Sequence, residues 1–369
     1  MSLQEEIEAK SKEIQTDDYP MSIGELMNMY RDEELKINPK FQRFFRWNET
    51  QKSKFIESIL LGIPIPPIFV SQTKEGTWDV IDGLQRLSTI LEFTGLLKRE
   101  DDELTPPSKL VGTDFLPSLE DKMWENKYDI ENSFTPQQRF KLKRAKLDIN
   151  IIKETSDDDS KYELFQRINT GGTHLEPQEI RNCLLIMINQ SFFDWSHKLK
   201  ENTNFQSCLP LTDKQSLEQY DMELIMRYLI SRYSNTSEIK GNEDIQDFIT
   251  KQIINFIKND KINYINEEEI FNKTFEYLNS VLSDDIFRKY NHQKQKFQGA
   301  LSLVAFEALI PGIAENINQL SLLSLEESKA KIIHLYTDEK FVEITTNRPR
   351  PVNRLKQLTD FSREYFQCK

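Results

Sequence analysis

Short apolar runs punctuated by Gly and Pro dominate the first half of this chain, and apolar residues at helical spacing dominate the second. Leu84, Leu87, Ile90 and Leu91 fall on one helical stripe, with Gln85, Arg86, Ser88 and Thr89 off it. That helix follows Trp78-Asp79-Val80-Ile81, which reads as a strand. The two meet at Asp82-Gly83, where glycine permits a sharp turn. Upstream, residues 3 to 15 form a polar, exposed helix. Ser22 to Tyr30 forms an amphipathic one, with Ser22 and Glu25 spaced as a capping box. Leu35-Lys36-Ile37-Asn38 is a strand. Thr50 to Leu61 is a helix closed by Gly62. Pro64-Ile65-Pro66-Pro67 enforces an extended segment. Ile68-Phe69-Val70 then pairs with residues 78 to 81 across a Lys74-Glu75-Gly76 turn.

Residues 98 to 135 are charged and irregular, with an insertion around Leu110 to Trp124. Pro136 to Lys146 is a helix carrying Arg139, Lys141, Lys143, Arg144 and Lys146 without an acid. It reads as a solvated face or as a DNA-backbone contact. Leu147 to Ile152 alternates as a strand. Lys161 to Asn169 is a helix closed by Thr170-Gly171-Gly172, and Glu176-Pro177 opens another. From Phe192 onward the pattern is helical: 217 to 232, 243 to 258, 267 to 282, 298 to 310, 326 to 336 and 353 to 366. The fold class is therefore α+β, with a small mixed sheet in residues 1–190 and an all-helical domain in 191–369.

Composition narrows the functions. A net charge of −12 over 369 residues does not mark a general nucleic-acid binder. Besides the 136–146 helix, two local runs depart from it. Lys36, Lys40, Arg43, Arg46, Lys52 and Lys54 face only Glu49, with Phe41, Phe44, Phe45 and Trp47 between them. Such a run suits nucleotides or single strands, or is core aromatics with solvated charge. Arg348, Arg350, Arg354 and Lys356 form a basic elbow. Cys183, Cys208 and Cys368 lack CxxC spacing, and four histidines form no HNH or HExxH pattern. No run of 18 apolar residues exists, which places the chain in the cytoplasm.

The Asp82-Gly83 joint is the main chemical candidate. A helix start offers N–H groups and a positive dipole end to an anion, and Arg86 adds a fork suited to phosphate. The same residues also fit a structural joint in which Asp82 caps the helix and pairs with Arg86.

Ile81-Asp82-Gly83-Leu84-Gln85-Arg86-Leu87 resembles the DGQQR motif of the GmrSD-type restriction proteins, N-terminal (GmrS) domain. Two further ordered stretches are similar to that family. One is Asn38 to Arg43 with Trp47, Ile59 to Gly62 and Pro64 to Pro67. The other is Phe165 to Gly172 with Leu175 and Glu179 to Asn182. Leu84 departs from the motif by replacing its first Gln, and its place on the apolar stripe predicts that it packs inward. The resemblance implies a ParB/sulfiredoxin-like fold and an NTP-binding pocket, with a Mg²⁺-dependent hydrolase activity. It assigns catalysis to Asp82, Gln85 and Arg86, with Asp82 also holding the metal. It assigns nucleotide binding to Gln42, Arg43, Gly83, Asn169, Gly171, Gly172 and Glu179. The implied setting is restriction-modification or phage defence acting on foreign DNA. The family's HNH centre has no counterpart here, so a separately encoded nuclease becomes the expected partner. Two alternatives stay open: a non-catalytic ParB-like DNA-sensing module, or a nuclease using the same pocket.

Overall fold

A computed structural model describes residues 2–5, 16–37, 47–99, 101–153 and 176–367. The chain divides into two compact units, Met1–His174 and Leu175–Lys369.

The N-terminal unit holds a five-stranded mixed sheet in the order β1-β5-β3-β4-β2. Its elements are β1 (Thr16–Ser22), α1 (Ile23–Arg31), β2 (Leu35–Lys36), α2 (Glu49–Leu61), β3 (Ile68–Gln72), β4 (Trp78–Asp82), α3 (Leu84–Phe93), α4 (Pro136–Arg144) and β5 (Lys146–Ile152). β1/β5 and β3/β4 are antiparallel; β3/β5 and β2/β4 are parallel. The expected hairpin forms, with Gly76 at φ +87° in its turn. Gly62 closes α2 in the left-handed region, and Ser22 caps α1 by accepting the Glu25 N–H at 3.2 Å. β1 has no counterpart in the sequence reading. Its first five residues are exposed and show no alternation, so the strand exists through pairing with β5 rather than through pattern. Pro20 has no N–H to give and fits an edge position.

Residues 98 to 135 are irregular, as expected, but they are no peripheral insertion. Leu110, Leu119 and Phe134 are buried in the same core as Ile56, Val70, Leu87, Ile90 and Ile149. Phe93 of α3 meets Trp124 and Phe134 edge-on. α2 pins the segment with polar groups. Buried Glu57 accepts from the Thr113 hydroxyl and the Leu116 N–H, and Ser53 accepts the Val111 N–H at 2.9 Å.

In the C-terminal unit the longer helices are α5 (Pro177–Ile188), α6 (Tyr220–Tyr233), α7 (Ile245–Lys258), α8 (Tyr264–Leu282), α9 (Leu303–Glu315) and α10 (Pro351–Phe366). The compact C-terminal unit begins at Leu175 and takes in α5, whereas the sequence reading drew its boundary after residue 190. Leu185 lies in that unit's core, and Arg181 reaches Thr250 and Gln246 on α7. The unit is also not wholly helical. A two-stranded hairpin, Lys289–Asn291 with Lys296–Gln298, precedes α9, which starts five residues later than expected under a Ser302 cap. α9 and α10 pack closely at Gly312. A Cβ there would lie 2.0 Å from the Ser362 carbonyl oxygen.

Two buried charge clusters tie these helices. Glu307 on α9 accepts from Arg227 of α6 at 3.1 Å and from Arg354 of α10 at 2.8 and 3.2 Å. Arg227 also pairs with Glu223 at 2.6 Å. Glu267 on α8 accepts from the Tyr228 and Tyr233 hydroxyls at 2.5 and 2.7 Å and from Arg232 at 3.0 Å. Arg354 and Lys356, expected on a basic elbow, therefore point inward; Lys356 donates to the Ile239 carbonyl at 3.3 Å. Arg348 and Arg350 remain exposed. Among the described residues, no helix is long and apolar enough to cross a membrane.

Candidate functional site

The Asp82–Arg86 run occupies the joint between β4 and α3, and Gly83 sets its shape. Gly83 has φ +94°, and a Cβ there would sit 2.8 Å from Ile68 Cγ1 and 3.3 Å from Ile68 Cα. Left-handed backbone and a close approach to β3 together demand glycine. α3 then begins with Gly83 as its N-cap and no side-chain cap. Its first N–H groups lack intrahelical partners by geometry, and they lie at the positive end of the helix dipole.

Asp82 ends β4 and does not cap α3, which corrects one half of the structural-joint expectation. The other half is present. Arg86 Nη2 donates to Asp82 Oδ2 at 2.5 Å. Arg86 Nη1 donates to the carbonyls of Pro66 and Pro67 at 2.5 and 3.0 Å. The guanidinium thus holds one carboxylate oxygen and two backbone oxygens, and its side chain is only 12% exposed against 29% for Asp82. The fork expected to face phosphate is turned into the protein. The two carbonyls are partners that the sequence reading missed. Their signal is the Pro-Pro run itself, since an extended proline segment makes no internal hydrogen bonds.

Gln85 Oε1 accepts the Trp47 N–H at 3.2 Å, and Trp47 packs edge-on to Phe55 at 5.4 Å. Leu84 packs against the core as expected. Ser88 and Thr89, expected off the apolar stripe, are fully buried. α3 has neighbours on more than one side, with Phe93 against Trp124 and Glu92 paired to Lys52 at 2.6 Å. Lys52 is therefore not the free cation of a basic run, and Lys54 comes within 3.9 Å of Asp114. On β4, burial raises the Asp79 carboxyl above its usual range; its register partner Lys36 opposes that shift and Glu75 adds to it.

Gln42, Arg43, Asn169, Gly171 and Gly172 lie outside the described residues. Glu179 lies in the C-terminal unit, where its Oε2 accepts the Glu176 N–H at 2.9 Å as the capping box of α5. Beside it, buried Arg181 donates to Thr250 Oγ1 at 3.0 Å, to Gln246 Oε1 at 2.7 Å and to Gln178 Oε1. Gln178 in turn donates to Asn182 at 2.7 Å. These side chains bind α5 to α7. Among the described residues, no three His, Cys, Asp or Glu side chains converge as a metal centre. Asp82 alone fits Mg²⁺ only in the mode where one carboxylate is completed by phosphate oxygens and water.

Arg86→Ala is expected to lower stability by about 1.5–3 kcal/mol or more, the value of one hydrogen bond between charged groups. Arg86→Lys should restore part, because an ammonium cannot span three acceptors in the plane of a fork. Thermal unfolding followed by circular dichroism checks both. An unchanged midpoint in Arg86→Ala would remove the clamp.

Residues 23–186 match the sequence model of the GmrSD restriction endonuclease, N-terminal domain. No curated protein and no solved structure matches the chain.

Proposed function

From the GmrSD N-terminal domain that residues 23–186 carry, we propose that this chain is the nucleotide-binding, NTP-hydrolysing component of a prokaryotic restriction or anti-phage system. It acts on foreign DNA with a separately encoded nuclease. The observation that carries the reading is the joint at Gly83: a partly exposed carboxylate beside a helix start whose N-cap is a glycine, on a backbone that only glycine allows. A helix start, at the positive end of its dipole, suits a phosphate. Asp82 supplies a carboxylate that orients water or holds Mg²⁺, and the cation, when bound, neutralises phosphate charge.

Arg86 changes role relative to the sequence expectation. Its contacts make it a positioning residue that fixes the Asp82 carboxylate and the Pro66-Pro67 backbone. Gln42 and Arg43, outside the described residues, remain the proposed phosphate-side groups.

The test is phosphate release from each NTP with Mg²⁺, with and without DNA. Wild type is expected to turn over, and Asp82→Ala to lose turnover while keeping its circular dichroism spectrum. Equal turnover by the two proteins removes Asp82 from catalysis. DNA cleavage by the isolated chain that vanishes in Asp82→Ala would favour a nuclease in its place.

A further inference from the structure

Helix α4 stands apart from the acidic chain around it. Residues 136 to 147 contain five cations and no acid. One buried residue, Leu142, anchors the helix, and a Thr135–Gln138 capping box with Pro136 fixes its start. Lys141, Lys143 and Arg144 are exposed. Phe140 is 56% exposed in their midst, with the Arg144 guanidinium 5.6 Å from its ring centre. A large aromatic left in water between cations gains nothing for folding.

The turn at 124–133 lies against this helix. Arg139 pairs with Glu125 at 2.8 Å, and Lys143 sits over the Trp124 ring at 5.8 Å. The Arg139 guanidinium foremost, with Lys127 and Lys143 adding to it, holds the Glu125 carboxyl below its usual range. The turn is held by its own side chains. Ser133 bonds Asn126 and Asp129, and Asn132 bonds Asp129. At its tip Tyr128 is 99% exposed. One exposed ring thus stands among the cations of a capped helix, and the other, Tyr128, follows Lys127 on a self-bonded turn that also carries Glu125, Asp129 and Glu131.

We infer that α4 and the 124–133 turn form a contact surface for unpaired nucleic-acid strands. Lys141, Arg144 and Lys127 meet the backbone, and Phe140 and Tyr128 stack on bases. Cations tracking phosphates with aromatics on which bases stack is the chemistry of single-strand binding, and it tolerates any sequence. The inference deepens the DNA-directed half of the proposed function and rests on it for its setting. It does not use Asp82 or any nucleotide.

Fluorescence anisotropy on the full chain tests it, with a labelled oligothymidine and a duplex of equal length across a salt series. Phe140→Ala is expected to weaken oligothymidine binding roughly 5- to 150-fold, the range for one stacked base, and to leave duplex affinity nearly unchanged. Lys141→Gln with Arg144→Gln should lower the logarithmic salt slope by roughly 1.4, about 0.7 for each phosphate contact. All these side chains are exposed, and circular dichroism confirms folding. No oligothymidine binding by wild type overturns the inference, as does binding that all variants retain. Equal loss for duplex and single strand in Phe140→Ala overturns the stacking role. Phosphate release from NTP is measured on the same samples. Oligonucleotide binding without turnover keeps this surface and defeats the nucleotide reading; turnover with variant-insensitive or absent binding does the reverse.

Discussion

Glu307→Ala is expected to destabilise the helical unit by about 3–5 kcal/mol, the range for breaking a buried ion pair from one side. The carboxylate is inaccessible to solvent and accepts from two guanidinium groups on two other helices. Its loss leaves Arg227, 3% exposed, with Glu223 as its remaining carboxylate partner in the cluster, and leaves the Arg354 fork without its acceptor. The cost comes from uncompensated charge, not from the lost attraction alone. Replacing Glu307, Arg227, Glu223 and Arg354 together with apolar residues of similar volume should therefore cost much less than the single change. Urea unfolding at constant m-value measures both. A single-variant loss under about 1 kcal/mol would mean that water reaches the cluster on mutation and repays the desolvation.

Gly83→Ala carries the second large effect. Two penalties add: about 1–2 kcal/mol for an L-residue in the left-handed region and about 1–3 kcal/mol for overpacking against Ile68. The expected total is about 2–5 kcal/mol. Gly62→Ala is the matched control. Gly62 has φ +72° but nothing within 4 Å of a new Cβ, so only the backbone penalty applies. Its loss should stay near about 1–2 kcal/mol. Equal losses at the two positions would show that β3 yields without cost and that the joint is not crowded. The comparison matters for function, because the same crowding sets where Asp82 ends and α3 begins.

Much of the N-terminal fold was legible because its signals are local. Gly62, Gly76 and Gly83 each take the left-handed backbone that their punctuation suggested. The 68–72 and 78–82 hairpin and the stripe of α3 followed from period and turn chemistry. β1 was not legible, since a polar edge strand is made by its neighbour rather than by its own alternation. The β6/β7 hairpin, Lys289–Asn291 with Lys296–Gln298, was missed for a related reason: two three-residue strands are too short to show a period. At the candidate site the Asp82–Arg86 pair was legible from spacing. The Pro66 and Pro67 carbonyls were not, because their partner lies about twenty residues away in sequence. The same limit hid the Glu307 cluster, whose members span 131 positions from Glu223 to Arg354. Within the basic elbow and the 36–54 run, charge type alone did not reveal that Arg354, Lys356 and Lys52 already have partners.

The edges of the small sheet have a consequence for how copies of this protein behave when crowded. Among the described residues the sheet ends on β1 at one side and on two-residue β2 at the other. An open edge invites a strand from a neighbouring molecule, and repeated addition builds a fibre. β2 is too short to seed such a ladder. β1 is long enough, but it carries the adjacent charges of Asp17 and Asp18 and, at Pro20, a position that cannot donate. Among the described residues, then, the margins of this sheet are poor templates for adding a foreign strand, one by its shortness and the other by its paired charges and its proline.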